Sequence, residues 1–428
     1  MLFNQTLTYI SLFSGAGVGC YGLLEEGFEC VATNEILEKR LNIQRINRKC
    51  KLDESYISGD IKKPETKEKI LKQIGFYSKK FGNDRVDLVV ATPPCQGMSV
   101  ANHKKKNDEI KRNSLVIESV DLIKQIKPRF FILENVPSFY KTGCIDKNDN
   151  LLEIGSMIEQ NLSGDYMLYD EVINFKNFGA NSSRTRTLVI GVCKEFKDFI
   201  SALEFFPDFK QEKTLKKVIG SLKPLAWGEY DSADFYHSFR TYPKHMQEWI
   251  KDLKEGQSAF ENVQDAISDL AYLCSNEGAF ESDYLNPIQS SYQALMRKDS
   301  PKLYNHQATN HSQAALEKLK LINKEQGKEC LPKNLHGKQQ FKSTWGRLNW
   351  NKISPTIDTR FDTPSNGTNS HPELHRSITP REAARIQSFS DDYIFYGNKT
   401  SVCKQIGNAV PPLLALALGK AILKNLRK

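Results

Sequence analysis

A short apolar segment that ends at two consecutive prolines limits the folds open to this chain more than any other feature. Residues 87–91 (DLVVA) form an apolar, β-branched run that is typical of a fully buried parallel strand. Thr92, Pro93 and Pro94 follow, and proline can continue neither a helix nor a paired strand. We therefore expect a rigid bend at Cys95, past the carboxyl end of the strand, where open α/β sheets bind their ligands.

Cys95 is a candidate nucleophile. A free thiol has a pKa of about 8.5, so only a few per cent is thiolate at neutral pH, yet cysteine is already strongly nucleophilic. The alternative is a small buried residue without a chemical role. The Pro-Pro-Cys-Gln sequence after a buried strand favours the nucleophile, provided that partner residues lie elsewhere in the chain.

Length and composition predict a globular protein of two domains. The chain has 428 residues, more than one hydrophobic core usually holds, with 39% hydrophobic and 26% charged residues. We find no apolar run that approaches the length of a membrane span, and the polar start MLFNQTLTYI lacks the features of a signal peptide. A cytoplasmic protein without membrane association is expected.

The cysteines and histidines favour neither a metal nor a disulfide framework. The nine cysteines include no Cys-x-x-Cys pair, and nothing at suitable spacing completes a site around His306 and His311. We expect ordinary polar contacts for these histidines and no bound metal. The net charge of +9 permits a polyanionic partner such as a nucleic acid.

A glycine-rich turn and two acids predict a site for an adenosine-bearing cofactor. The predicted strand at residues 7–14 runs into GAGVG at residues 15–19, and a second predicted strand, residues 30–34, leads to Glu35. An acid about 20 residues past such glycines can accept the hydroxyls of a ribose. A third predicted strand, residues 55–61, brings Asp60 to the same edge. An NAD enzyme would show a similar pattern, but Cys20 replaces its third glycine.

Three further segments complete the candidate site. The basic stretch at residues 101–114 is either a solvated loop or a lid that holds phosphates. Beyond a predicted helix at residues 115–126, the predicted strand at residues 130–133 ends at Glu134, which either caps a turn or faces the crevice. Arg184 and Arg186 share one face of a predicted strand, where a surface ion pair is the alternative function.

The motifs FSGAGVG, GDI, PPCQ, ENV, R-x-R and QIGNAVPP occur in the order found in DNA (cytosine-5) methyltransferases. The chain resembles this family over residues 8–195 and 345–420. The resemblance implies an α/β fold: a Rossmann-like S-adenosylmethionine-dependent methyltransferase domain with a second, smaller target-recognition domain. We expect residues 1–200 and 395–428 to form the catalytic domain, and residues 201–394 the recognition domain and hinge.

The resemblance also implies roles for individual residues. Phe13 would contact the adenosyl group, Glu35 the ribose and Asp60 the adenine. The full set of expected S-adenosylmethionine-binding residues is Phe13, Ser14, Gly15, Gly17, Glu35, Asp60, Ile61, Pro94, Asn408 and Val410. The expected catalytic residues are Cys95, Glu134, Arg184 and Arg186. The expected DNA-binding residues are Gln96, Ser99, Lys104, Lys105 and Arg112.

The expected chemistry explains this combination of residues. Cys95 attacks C6 of cytosine, which makes C5 nucleophilic, and a protonated Glu134 supports the charge that develops at N3. Arg186 holds the O2 edge of the base, while Arg184 supports Glu134 or the loop. Because none of these atoms can reach a stacked base, the cytosine must be flipped out of the duplex.

The sequence departs from the family pattern in two places. Ser11 replaces the Asp of many members, and Asn181-Ser182 replaces the commoner Pro-Gln before the arginines. TPRE at residues 379–382 predicts a capped helix start, with the helix running to about residue 389. The resemblance implies that this region organises the recognition domain, so we expect Arg381 and Arg385 to be mainly structural. Residues 214–225 and 263–273 are predicted amphipathic stretches in an interval, 196–344, without a general pattern.

The resulting hypothesis is a sequence-specific DNA cytosine-5 methyltransferase. It would act as a monomer on double-stranded DNA, as the modification enzyme of a bacterial restriction system that includes a cognate restriction endonuclease. Two alternatives remain open: an RNA (tRNA) cytosine-5 methyltransferase, and a catalytically silent DNA-binding regulator.

Overall fold

The structure, a computed structural model, describes residues 6–82, 85–94, 113–196, 261–298, 300–336 and 343–426. These residues divide into two compact units. The first contains the described residues up to 173 together with 185–196 and 414–426. The second contains residues 174–184 and the described residues from 261 to 413.

The described residues contain eleven strands. They are β1 Thr8–Leu12, β2 Glu29–Glu35, β3 Tyr56–Ser58, β4 Leu88–Ala91, β5 Phe130–Asn135, β6 Gly143–Ile145, β7 Leu151–Glu153, β8 Tyr166–Asn174, β9 Thr185–Cys193, β10 Gly278–Ser282 and β11 Leu303–Gln307. Seven of them form one sheet in the order β3-β2-β1-β4-β5-β9-β8. β1 to β5 are parallel within it, and β9 runs antiparallel to β5. The predicted α/β fold is thus confirmed.

The described residues also contain eleven α-helices. They are α1 Tyr21–Glu25, α2 Glu38–Ile46, α3 Pro64–Phe81, α4 Leu115–Ile126, α5 Ile154–Leu162, α6 Val263–Ile267, α7 Ser291–Arg297, α8 Gln313–Leu321, α9 Pro380–Ile386, α10 Lys399–Gly407 and α11 Pro412–Leu426. α4 has the bounds that the sequence predicts. α6 and α9 end earlier than predicted, and the predicted helix at residues 214–225 lies outside the described residues.

Burial on both faces explains why the central strands are continuously apolar. All residues of β1 and β4 are buried. Alternate residues of β1, β4 and β5 enter one core cluster with α3, α4 and α5, to which Ile10, Val89 and Phe131 belong. Leu12 pairs with Ala91, and Ala91 with Leu133, so β1 and β4 end at the same level and β5 continues two residues further. This common edge positions the candidate site.

The second unit is organised around α9. The predicted capping box is present, because Thr379 Oγ1 accepts a hydrogen bond from Glu382 N (3.2 Å) and Glu382 Oε2 accepts one from Thr379 N (2.8 Å). Pro380 occupies the first turn, where its missing N–H costs nothing. A two-stranded antiparallel sheet of β10 and β11 packs against this helix.

Three fully buried arginines hold the surroundings of α9 together. Arg381 donates to the carbonyls of Ser390 (3.0 Å) and Tyr393 (2.8 Å), while Arg385 pairs with Asp269 and Asp391. Arg376 forms a bidentate pair with Glu382. A further arginine, Arg347, donates to four backbone carbonyls, those of Leu319, Ile322, His371 and Leu374. These contacts agree with the structural role predicted for Arg381 and Arg385.

The unit boundaries differ from the expected domain boundaries. Residues 174–184 and 395–413 belong to the second unit, not the first. The cause is local packing: Ser354 N donates to Asn181 Oδ1 (3.1 Å), and a Cβ on Gly407 would lie 2.6 Å from Thr359 N. The segment 354–359 thus binds both stretches within one unit.

One stretch has the length and composition of a membrane span among the described residues. Lys399–Leu426 comprises 28 residues and includes an 18-residue window with a mean hydropathy of 1.6, which the sequence prediction overlooked. It contains α10 and α11, separated by four non-helical residues, and 67% of its apolar window is buried inside the structure. The core helices of a globular protein pass the same test.

Candidate active site at the carboxyl edge of the sheet

The turn after β1 has a backbone that only glycine adopts easily. Gly15 and Gly17 have φ values of +56° and +88°, and Phe13 also has a positive φ of 54°. A Cβ on Gly17 would lie 2.6 Å from Gln44 Cγ, whereas a Cβ on Gly15 would meet nothing within 4 Å. The turn is packed from behind at Gly17 and open at Gly15. A ligand can therefore approach the backbone closely at Gly15.

Glu35 connects this turn to the end of β2. Its Oε2 accepts a hydrogen bond from Gly15 N (2.9 Å), and its Oε1 accepts from Leu37 N (3.2 Å) and Arg40 Nη1 (3.1 Å). The residue is only 4% exposed. An ionised carboxylate has about four acceptor positions, so three protein donors leave capacity for a ligand hydroxyl. The glycine turn and this carboxylate together fit an adenosine-bearing cofactor.

The end of β3 is joined to the same edge by an asparagine. Asn34 Nδ2 donates to the carbonyls of Ile57 (3.0 Å) and Gly59 (3.2 Å). Asp60 is half-buried, with Oδ1 accepting from Lys62 N (3.0 Å), and Ile61 is buried. The two predicted acids thus lie at the ends of adjacent parallel strands.

The turn after β4 is fixed by hydrogen bonds from both neighbouring strands. Thr92 Oγ1 donates to Phe13 O (3.1 Å), and Asn135 Nδ2 donates to Pro93 O (2.9 Å). Pro94 is the last described residue of this segment. Cys95 and the predicted DNA-binding residues lie outside the described residues: Gln96, Ser99, Lys104, Lys105 and Arg112.

Glu134 and Arg186 form an ion pair at the edge of the sheet. Arg186 Nε lies 3.1 Å from Glu134 Oε1, and the two side chains are 16% and 12% exposed. Because β9 is antiparallel to β5, its first residues meet the last residues of β5. Thr187 Oγ1 supports the turn by donating to Val136 O and Pro137 O, both at 3.1 Å.

Arg184 makes different contacts from Arg186. It precedes β9, belongs to the second unit and donates from Nη1 to the carbonyls of Ile357 (3.4 Å) and Gly407. The two arginines were predicted to share one face of a strand, but only Arg186 lies in β9. Arg184 instead holds the carbonyl of the last residue of α10.

Asn408 and Val410 follow α10 directly. Asn408 is exposed at the C-terminal end of the helix, its N–H donating to Lys404 O (3.2 Å), and Val410 is buried. Both belong to the second unit.

His306 and His311, for which the sequence predicts ordinary polar contacts, make such contacts within the second unit. His306 Nδ1 lies 3.0 Å from Thr379 Oγ1, and His306 Nε2 lies 3.0 Å from Ala271 O. His311 Nε2 accepts a hydrogen bond from Ser377 N (3.0 Å), and burial lowers the pKa of His311 to about 4. The described part of the chain holds no group of three or more His, Cys, Asp or Glu residues arranged for a metal ion.

Sequence reasoning missed two buried polar residues next to the glycine turn. Gln44 Nε2 donates to Ser14 Oγ (2.7 Å) and Gly15 O (2.8 Å), and Lys49 Nζ donates to Thr33 Oγ1 (3.1 Å). The available signal was a glutamine on the face of α2 that is buried against the sheet. Because burying an unpaired amide costs free energy, such a residue indicates a hydrogen-bonding partner nearby.

Comparisons with known proteins identify relatives along the whole chain. The family model for C-5 cytosine-specific DNA methylase matches residues 7–424. The type II methyltransferase M.DdeI of Desulfomicrobium norvegicum is 30% identical over 79% of this chain and 72% of its own length. The type II methyltransferase M1.HphI of Haemophilus parahaemolyticus is 26% identical over 99% of this chain and 88% of its own length.

Solved structures share the fold. A prophage-encoded E. coli protein, described as a DNA modification methyltransferase, superposes with a TM-score of 0.64 at 21% identity, covering 99% of this chain and 100% of that chain. The S. pombe Dnmt2 methyltransferase gives a TM-score of 0.52 at 14% identity over 99% and 100% of the two chains. The Rossmann-like methyltransferase fold is thereby confirmed. Because the family model spans nearly all of the sequence, the chain belongs to the C-5 cytosine-specific DNA methylases and is a DNA (cytosine-5) methyltransferase.

Proposed function

We propose that this enzyme transfers a methyl group from S-adenosylmethionine to C5 of a flipped-out cytosine within a specific duplex sequence. The observation that carries the proposal is the Glu134–Arg186 ion pair at the carboxyl edge of the sheet. The neighbouring residue, Asn135, holds the carbonyl of Pro93, two residues before Cys95. Nucleophile, acid and cation are thus assigned to adjoining strand ends.

The family implies S-adenosylmethionine as the methyl donor. When bound, this cofactor supplies a methyl group on a sulfonium centre, which departs as a neutral thioether. The open backbone at Gly15 and the remaining acceptor capacity of Glu35 support a site for its ribose. The other residues that we assign to the cofactor are Phe13, Ser14, Gly17, Asp60, Ile61, Pro94, Asn408 and Val410.

Cys95 acts as the nucleophile towards cytosine. Its thiolate forms a bond to C6, and the electrons of the C5–C6 double bond shift towards C5 and N3. C5 then takes the methyl group, a base removes the proton from C5, and the C6–S bond breaks to restore the double bond and the thiolate. A bound water is our candidate for that base.

Glu134 and Arg186 support the charge that develops on the ring. Glu134 acts in its protonated form and donates a hydrogen bond to N3 of the base, and Arg186 stabilises the O2 side. An arginine has five N–H donors, so Arg186 can keep its contact with Glu134 and still donate to a substrate oxygen. We assign Arg184 a positioning function, because it holds the carbonyl of Gly407 directly before Asn408.

The relatives support a proposal for the substrate and the biological setting. M.DdeI and M1.HphI are type II methyltransferases, which supports assigning this enzyme as the modification component of a restriction system. It then acts in the cytoplasm as a monomer on double-stranded DNA, and a cognate restriction endonuclease shares its target sequence. Gln96, Ser99, Lys104, Lys105 and Arg112 are the proposed DNA contacts near Cys95.

The proposal is tested by transfer of labelled methyl groups from S-adenosylmethionine to genomic DNA and to tRNA. We expect labelling of DNA at cytosine C5, with the target sequence recovered by bisulfite sequencing. The Cys95→Ser variant should lose turnover and the covalent complex with 5-fluorocytosine DNA, but should retain cofactor binding. Labelling of tRNA alone, or a covalent complex that persists in Cys95→Ser, would contradict the proposal.

A further inference from the structure

Four polar side chains form a directional hydrogen-bond chain behind the glycine turn. Lys49 Nζ donates to Thr33 Oγ1 (3.1 Å), and Thr33 Oγ1 donates to Gln44 Oε1 (2.7 Å). Gln44 Nε2 then donates to Ser14 Oγ (2.7 Å), and Ser14 Oγ donates to Asn34 O (3.1 Å). The chain therefore connects α2 and β2 to the turn that follows β1.

The direction of this chain is set at Lys49. An ammonium group can donate hydrogen bonds but cannot accept them, so the hydroxyl oxygen of Thr33 must be the acceptor. The single hydroxyl proton of Thr33 is then directed to Gln44, which requires that the amide oxygen of Gln44 faces Thr33. The amide nitrogen of Gln44 is consequently turned towards the glycine turn.

The amide of Gln44 has two N–H donors, and both are used at this turn. One contacts Ser14 Oγ, and the other contacts Gly15 O at 2.8 Å. The N–H of Gly15 in turn donates to Glu35 Oε2 (2.9 Å), so the two peptide groups on either side of the Gly15 Cα are both held. Gln44 also closes the space behind Gly17, where a Cβ would lie 2.6 Å from Gln44 Cγ.

Burial makes the arrangement rigid. Gln44 and Thr33 are fully buried, and Lys49 is 3% exposed. In such surroundings a donor or acceptor that loses its partner costs free energy, because no water replaces it. Rotating the amide of Gln44 would bring its oxygen against Gly15 O and its N–H groups against Thr33. Alternative positions of the turn are disfavoured for this reason.

We propose that Gln44, oriented by Lys49 through Thr33, is a positioning residue that holds the Ser14–Gly15 backbone and Glu35 in the geometry that binds the cofactor. This inference rests on the proposed function of Gly15 and Glu35 in S-adenosylmethionine binding. Gln44 itself faces the turn from behind and contacts neither the cytosine nor the methyl group. Its removal should act on cofactor affinity and leave the chemical step unchanged.

The experiment compares Gln44→Met with Gln73→Met. Gln73 is also buried in a helix and donates to a serine, Ser55 Oγ at 3.0 Å, but it lies in α3 away from the glycine turn. For Gln44→Met we expect Kd and KM for S-adenosylmethionine to rise about tenfold, with kcat at saturating cofactor within about twofold of wild type. Gln73→Met should lower the melting temperature without the change in Kd.

A Gln44→Met enzyme that binds S-adenosylmethionine as tightly as Gln73→Met would overturn the positioning role. If Gln44→Met does not fold, Thr33→Val removes the hydroxyl that orients the amide, and the same rise in Kd is expected. An unchanged Kd in folded Thr33→Val would then overturn it. By contrast, a folded wild-type protein that neither binds S-adenosylmethionine nor labels DNA would overturn the proposed function itself.

Discussion

The ion pair between Glu134 and Arg186 gives the proposed catalytic carboxylate a cationic neighbour. The contact is made by Nε of Arg186, so the terminal nitrogens of the guanidinium are directed elsewhere, one of them to Thr185 O (2.8 Å). A planar guanidinium holds several acceptors at fixed angles, whereas the ammonium of lysine is a point charge on a flexible stem. The geometry of Arg186, and not only its charge, should therefore matter for turnover.

We expect Arg186→Lys and Arg186→Met to lower kcat, by at least tenfold and about a hundredfold respectively. The reason is the loss of a preorganised donor at the atom where negative charge develops. Single-turnover methylation of a target duplex at saturating S-adenosylmethionine measures this effect.

Arg85→Met is the matched control for Arg186. Arg85 also pairs with a glutamate, Glu195 (2.7 Å), but it lies three residues before β4, at the amino end of that strand. Turnover of Arg85→Met should equal that of wild type. If Arg186→Met also turns over at the wild-type rate, Arg186 has no function in the reaction.

Sequence reasoning at the residue level succeeded where a side chain follows directly from its own strand. Glu35 and Asp60 lie at the ends of adjacent strands as predicted, because parallel strands of one sheet share an edge. Sequence reasoning did not predict that Arg184 and Arg186 make different contacts. The strand begins at Thr185, so the two arginines diverge at a boundary that the local pattern does not mark.

At the level of elements, β9 and α9 show how short segments are fixed by their neighbours. β9 runs antiparallel to β5 and so presents its first residues at the carboxyl edge of an otherwise parallel set of strands. α9 has only seven residues, which is too few for a stable isolated helix. Its capping box and buried ion pairs provide the stabilisation that so short a helix lacks.

The buried pair between Arg376 and Glu382 should contribute strongly to the stability of the second unit. Burial alone would raise the pKa of Glu382, but Arg376, with its bidentate contact, and the nearby His371 and His306 lower it to about 2. Glu382→Gln leaves the Arg376 charge uncompensated, so we expect a loss of about 3–5 kcal/mol in the free energy of unfolding at pH 7. Urea denaturation monitored by circular dichroism measures it.

The same pair predicts a pH dependence. Because the pKa of Glu382 is depressed in the folded state, its contribution is complete above the unfolded value of 4.5 and is lost as the pH falls towards about 2. The difference between wild type and Glu382→Gln should therefore shrink below pH 4.5. A difference that stays constant down to pH 3 would contradict this assignment.

Glu68→Gln, which affects an exposed pair with Lys72, should leave the unfolding midpoint unchanged.

For the whole molecule, the net charge of +9 is large enough to make DNA binding depend strongly on salt. We propose that part of this charge, at Lys104 and Lys105, contacts phosphates beside Cys95. Replacing both by Gln should reduce the slope of log Kd against log salt concentration by about two, since each phosphate contact contributes about one. Fluorescence anisotropy with a labelled duplex measures the slope.

Lys79 and Lys80 provide the control for this experiment. They form another adjacent pair of lysines, in the last turn of α3, where the chain returns towards the start of β4. Replacing both by Gln removes the same charge and should leave the slope unchanged. If both double variants reduce the slope equally, the contribution is that of net charge and not of the segment next to Cys95.

The sequence by itself determined the local framework of this protein. Proline geometry sets the turn at Pro93–Pro94, continuous apolar runs predict the buried strands, and Thr379, Pro380 and Glu382 encode a helix start, because each effect acts within a few residues. Only the tertiary structure decided the contacts between distant segments. The pairing of Arg186 with Glu134, the attachment of Arg184 to α10 and the Lys49–Thr33–Gln44 chain depend on strand order, strand direction and register. These arise when the whole core packs, and no local pattern specifies them.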